Sequence, residues 1–107
     1  MKLGIVLQSN NPEHVWNTFR FGISALNAGH NVSIFLMSEG TGLDAIFDTE
    51  HFDISNKVSE YKELKGNLYA CGKCLEIRGK KEIVSYPAST MNDLLKMVEE
   101  SDRILVF

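Results

Sequence analysis

The chain has 107 residues, 44% of them apolar and 23% charged, which suits one hydrophobic core and is too short for two domains of ordinary size. Eleven Lys and Arg against 14 Asp and Glu leave a formal charge of -3, and without a basic stripe long enough to follow a phosphate backbone no nucleic-acid partner is expected. The apolar stretches fall far short of the ~20 residues that cross a bilayer, and Met1 to Gln8 lacks both a full secretory apolar region and a cleavage site, so the expectation is a cytoplasmic protein with no membrane partner.

Leu3-Gly4-Ile5-Val6-Leu7, followed by polar Gln8-Ser9-Asn10-Asn11, predicts a strand buried on both faces. Asn11, Pro12 and Glu13 then predict a helix start, with a capping side chain, a proline whose missing N–H is not needed, and an acid at the positive end. Val15, Trp16, Phe19, Ile23 and Leu26 recur at helical spacing, and Gly29 is placed to end the helix. Val32, Ile34, Phe35 and Leu36 make a second strand, closed by Ser38-Glu39-Gly40. A helix of this length between two strands implies parallel pairing through a right-handed crossover.

Thr41 to Phe52 fits either a helical turn or a loop packed on the sheet and stays unassigned. Ser55 is placed to cap a helix carrying Val58, Tyr61 and Leu64, with Lys57, Glu60, Lys62 and Glu63 outward and Gly66 as the stop. Leu68-Tyr69-Ala70 predicts a short strand that runs into Cys71, and Leu75, Ile77 and Arg78-Gly79 predict a helix of about two turns after it. Between Lys80 and Ser89, Ile83, Val84 and Tyr86 suit an edge strand or an extended connection, Pro87 opposing a central position. Thr90 to Asp93 has the form of a capping box, and Met91, Leu94, Leu95 and Val98 follow on one helical face. Ile104 to Phe107 predicts a terminal buried strand. The fold class is therefore α/β, a single domain over residues 1–107 built as a three-layer sandwich with a mostly parallel central sheet flanked by helices.

Cys71 and Cys74, spaced C-x-x-C, stand where a strand turns into a helix, and in parallel sheets reactive sites gather outside the carboxyl ends of the strands. Without export signals the pair is expected to be chemical rather than a staple. Unpaired amides at a helix start would lower the Cys71 thiol from its free value of roughly 8.5. Gly72 would leave the sulfur uncrowded, and Lys73 would add a cation that favours the anion. Cys74, one turn on, is placed to attack a disulfide or persulfide formed on Cys71. The competing structural reading is that both are small core residues. No second C-x-x-C or His pair supports zinc unless subunits pool cysteines, so neither a metal nor another cofactor is expected. His14, His30 and His51 are expected as solvated groups, and Trp16, Phe19 and Phe21 as core or subunit packing. Glu39 is expected as a turn residue on the same sheet edge as Cys71.

Cys71-Gly-Lys-Cys74-Leu-Glu-Ile-Arg78-Gly79 resembles the DsrE/DsrF-like family of small sulfur-relay proteins. So do the Leu3–Leu7 strand, the Phe35-Leu-Met-Ser-Glu39 block, Thr90-Met-Asn-Asp-Leu and Ser101–Phe107. The resemblance covers essentially the whole chain, and the C-x-x-C is similar to the YchN-type branch of the family. It implies a parallel-sheet sandwich, assembly into homo-oligomers (trimers or hexamers), and a cysteine, by motif position Cys71, that accepts sulfur as a persulfide from a donor protein and passes it to an acceptor protein. Two other functions compete with this sulfurtransferase-like role: a dithiol/disulfide redox protein using Cys71 and Cys74, and a non-catalytic oligomeric binding module whose cysteines only pack.

Overall fold

The structure is a computed structural model that describes residues 1–80 and 87–107. Its strands are β1 (Lys2–Leu7), β2 (Asn31–Leu36), β3 (Asn67–Cys71), β4 (Ala88–Ser89) and β5 (Arg103–Val106). The helices are α1 (Pro12–Asn27), α2 (Ile54–Glu63), α3 (Gly72–Ile77) and α4 (Met91–Glu100), with a 3-10 helix over Ser38–Ala45. The strands form one sheet in the order β4-β3-β2-β1-β5, every pair parallel, as expected for a strand–helix–strand chain whose crossovers all carry helix or loop.

The helix starts follow local chemistry. The Asn11 side chain accepts from the Glu13 and His14 amides at 3.0 and 3.2 Å, with Pro12 in the first turn, and Gly29 ends α1 at φ 90°, a left-handed conformation that costs glycine little. Thr90 and Asp93 form a reciprocal capping box on α4. The α2 start differs from the sequence reading. The helix begins at Ile54 with Asp53 at its cap, while the Asp48 carboxylate accepts the Ser55 amide at 2.9 Å. That bond holds the Asp48 carboxyl below its usual range, as the Trp16 indole N–H, 3.0 Å from Asp53 Oδ1, does for Asp53. At the other end Lys65, not Gly66, takes the left-handed turn at φ 70°. Gly66 serves packing instead, because a Cβ there would lie 2.3 Å from the Tyr61 ring.

The core is uneven across the sheet. On one face Ile5, Leu7, Ile34 and Leu36 meet Val15 and Phe19 of α1, and Tyr61 of α2 closes the layer edge-on to Phe19 at 5.4 Å. The other face has a smaller cluster of Val6, Phe35, Cys71 and Met97, with Met37, Tyr69, Cys74 and Leu94 packed around it.

Two apolar segments are less covered than their composition suggests, and for β5 the expectation of a buried strand fails. On α4 only Met97 is fully buried, and Met91, Leu95 and Val98, the stripe at helical spacing, are 51%, 55% and 43% exposed. β5 is an edge strand with Val106 61% exposed rather than a buried one. Both follow from topology: β5 has a neighbour on one side only, and α4 touches the sheet through Met97 and the half-buried Leu94 at one margin of the stripe, which leaves Met91, Leu95 and Val98 uncovered. Ile83, Val84 and Tyr86 lie outside the described residues, and β4 takes the edge position that Pro87 favours, with the Pro87 carbonyl accepting the Ala70 amide at 3.1 Å. Among the described residues no helix is long and apolar enough to cross a membrane.

Candidate functional site

The two cysteines stand at the carboxyl edge of the sheet, where β3 ends and α3 begins. Leu68 and Ala70 face the α1 layer, and strand alternation sends Tyr69 and Cys71 to the opposite face. Cys71 is thus both the last residue of β3 and the cap of α3, its sulfur accepting the Cys74 amide at 3.5 Å. One helical turn brings Cys74 back beside it; the two residues approach to 3.2 Å, and neither cysteine is in a disulfide.

Their environments differ. Cys71 is 3% exposed, packed with Val6, Phe35 and Met97, and this desolvation raises its thiol pKa; the amides of Cys74 and Lys73 oppose the shift without overcoming it, and the neighbouring Cys74 thiol adds to it. The expectation of an uncovered sulfur held as an anion at Cys71 is therefore overturned. Burial in an apolar cluster outweighs the favourable amides of a helix only six residues long. Cys74 is half-buried, and its sulfur accepts a second contact, the main-chain N–H of Ser38 at 3.3 Å.

Ser38 opens the 3-10 helix at φ 53°, a conformation that few residues other than glycine adopt and that concentrates at functional sites. Gly40, two residues on, lets this segment lie against the end of β1, since a Cβ there would stand 2.2 Å from the Leu7 carbonyl oxygen. The sequence marks Ser38 only as part of a turn. Its role depends on a contact across 36 residues, and no local pattern announces that. Glu39 beside it is exposed. Lys80 ties the end of α3 to the 3-10 helix through Asp44 and, at 3.4 Å, the Thr41 carbonyl, so the elements that carry Cys74 and Ser38 are clamped together.

Gly72 and Lys73 act differently from the sequence reading. A Cβ at Gly72 would meet the Ser89 carbonyl oxygen at 3.3 Å, so the glycine admits β4 alongside α3 rather than clearing space around sulfur. Lys73 directs its ammonium to Glu76 at 3.6 Å on the solvent side, and what it supplies to Cys71 is a main-chain N–H. His14 and His51 are exposed, and no group of three or more His, Cys, Asp or Glu among the described residues is placed to hold a metal.

The family model for DsrE/DsrF-like proteins matches residues 1–107. This chain belongs to the DsrE/DsrF-like family. Two relatives are 31% identical over 105 residues: the uncharacterized protein MJ0989 of Methanocaldococcus jannaschii, with 89% of this chain and 88% of the relative covered, and the uncharacterized protein MK0008 of Methanopyrus kandleri, with 89% and 83% covered. The crystal structure of the ychN protein from E. coli superposes on the whole chain with a TM-score of 0.84 at 17% identity, both chains being fully covered, which shows the same fold. DsrE/DsrF-like proteins are a sulfur-relay-related family, and in this member the C-x-x-C pairs an inner thiol with an outer one.

Proposed function

We propose that the chain carries sulfane sulfur as a cysteine persulfide on the Cys71–Cys74 pair, taking it from a donor protein and yielding it to an acceptor protein. The observation that carries this reading is the half-buried Cys74 at the carboxyl edge of the sheet, its sulfur 3.3 Å from a main-chain N–H and a second cysteine beside it, in a chain of a sulfur-relay-related family. A hydrogen bond from an amide stabilises an anionic sulfur, and the thiolate is the form that attacks a donor persulfide.

Reduced protein incubated near neutral pH with a cysteine desulfurase and cysteine, or with a rhodanese and thiosulfate, is expected to gain the mass of one sulfur atom. The gain should be removed by dithiothreitol and be missing from the Cys71→Ser/Cys74→Ser double variant. A chain that takes up no sulfur from either donor would not be a carrier. The 3.2 Å approach also favours a second reading, a dithiol/disulfide redox protein, and a reduction potential for the pair within the cytosolic range with no sulfur uptake would support that one instead.

The same proposal includes self-association. Met91, Leu95 and Val98 line one side of α4, and Val106, the register partner of Val6, adds apolar surface on the neighbouring edge strand. Exposed apolar side chains grouped on one helix face suit contact with another protein, and the open β5 edge is the sort of feature that assembly covers. The double variant Leu95→Glu/Val98→Glu is expected to reduce the native mass to that of a monomer while leaving the circular-dichroism spectrum unchanged, since neither side chain belongs to the core. A wild-type protein that already sediments as a monomer would refute the assembly.

A further inference from the structure

We propose that the two thiols have fixed and unequal roles, Cys74 receiving the sulfur and Cys71 expelling it as hydrosulfide by closing a disulfide onto Cys74. The inference rests on the sulfur-carrier reading and reverses the order that motif position implies. Three observations lead to it. Cys71 is 3% exposed among Val6, Phe35 and Met97, so a donor protein's persulfide has no surface route to it. Cys74 is half-buried and holds the contact to the Ser38 amide, which comes from a different element and is fixed in place by a left-handed residue and by the Lys80 tie. The two cysteines approach to 3.2 Å and their thiols interact directly, so the inner thiol is placed beside the outer one.

The chemistry then runs in two steps. The Cys74 thiolate attacks the outer sulfur of a donor persulfide, R–S–SH. A bond forms between Cys74 Sγ and that sulfur, the donor S–S bond breaks, and the donor leaves as the thiolate R–S⁻, giving Cys74–S–SH. In the second step Cys71 loses its proton to solvent and attacks Cys74 Sγ. The Cys71–Cys74 disulfide forms as the Cys74–sulfane bond breaks, and HS⁻ departs. Two thiols are oxidised by two electrons, and the sulfane sulfur takes up the same two electrons as sulfide. A dithiol reductant returns the pair to its starting state with two electrons and two protons.

Burial of Cys71 times the second step. Desolvation keeps the inner thiol protonated above the ordinary thiol range, so a sulfur loaded near neutral pH stays on Cys74 until an acceptor thiol takes it, and unaided release accelerates as the pH rises. The groups packed around Cys71 in the described structure are the Cys74 thiol, the amides of Lys73 and Cys74, the Tyr69 side chain on the same face of β3, and the apolar Val6, Phe35, Met37, Leu94 and Met97 from β1, β2, α4 and the residue after β2.

The test uses the whole chain and its two single variants, loaded with the rhodanese and thiosulfate donor and followed by intact mass and by hydrosulfide release. Cys74→Ser is expected to take up less sulfur by about tenfold or more. Cys71→Ser should load normally and release no hydrosulfide as the pH is raised. Cys71→Ala, which keeps an apolar side chain in the apolar site, should behave the same way. Wild-type protein should release hydrosulfide in alkali and end as the internal disulfide. Loading that survives in Cys74→Ser and is lost in both Cys71 variants would reverse the roles while leaving the sulfur-carrier reading standing. Hydrosulfide release that continues without Cys71 would remove the expelling step. Absence of loading in the wild type with either donor would take down both readings together.

Discussion

Tyr61→Ala is expected to lower the free energy of unfolding by about 3–5 kcal/mol, the range for emptying a large aromatic site in a core. Tyr61 is wholly buried in a slot whose sides are glycines: a Cβ at Gly22 would stand 3.0 Å from the ring and one at Gly66 2.3 Å. Small neighbours of this kind cannot collapse into the space an alanine would leave. The hydroxyl also bridges strands, donating to the Asn67 carbonyl at 2.6 Å with the Val32 carbonyl 3.1 Å away, and so helps fix the start of the strand whose far end is Cys71. Tyr61→Phe isolates this bond and should cost about 1–3 kcal/mol, the usual penalty for a buried polar partner left unmatched. Urea unfolding of the three proteins measures both differences, and an alanine variant within about 1 kcal/mol of wild type would contradict the packing described.

The same burial sets a pH dependence. Desolvation raises the Tyr61 phenol far above the ordinary tyrosine value. The neutral phenol therefore favours the folded state fully at every pH below the ordinary value of roughly 10, and this contribution is lost progressively as the pH rises from there toward the raised value. The raised Cys71 thiol has the same sign. Asp48 and Asp53, whose carboxyls are lowered by hydrogen bonds, have the opposite one, and the support they give to the start of α2 is lost in acid.

Gly40→Ala is the second large effect, expected to destabilise by about 1–3 kcal/mol as overpacking does and to disturb the cysteine site as well. The added Cβ would lie 2.2 Å from the Leu7 carbonyl oxygen and 2.9 Å from its carbon. Both are backbone atoms, so no side chain can swing aside. That oxygen also accepts the Met37 amide at 3.0 Å, one residue before Ser38, so relief of the clash pulls the Ser38 N–H away from Cys74. Alkylation of Cys74 by iodoacetamide, followed by mass spectrometry, should slow in Gly40→Ala. Gly42→Ala is the control: a Cβ there meets nothing within 4 Å, and its stability should stay within about 0.5 kcal/mol of wild type. Equal alkylation rates in all three proteins would show that Ser38 does not matter to the sulfur.

Most of the sheet is legible in the chain because its signals are local. The nearly continuous apolar run at Leu3–Leu7 and the apolar Val32, Ile34, Phe35 and Leu36 identify strands, and Asn11-Pro12 and Thr90–Asp93 identify helix starts that the structure shows bond for bond. The 3-10 helix over Ser38–Ala45 is not legible. Its glycines and mixed side chains have no periodicity, and it is held by Gly40 lying against Leu7 and by the Lys80 tie to Asp44, both partners distant in the chain. The α4 stripe illustrates the reverse failure. Met91, Leu95 and Val98 have the spacing of a core face, yet spacing identifies a face and not what covers it.

The residues by themselves determined the order of strands and helices, the parallel pairing, the family and the placing of a cysteine pair at the end of β3, because each of these follows from hydrogen bonding and apolar pattern over a few consecutive positions. Only the tertiary structure decided which of the two cysteines is buried. Cys71 and Cys74 differ by a single helical turn, but one points into Val6, Phe35 and Met97 and the other toward the Ser38 amide. Desolvation is set by neighbours from β1, β2 and α4 and the amide contact by the 3-10 helix, so they came into being only when the sheet brought those segments together.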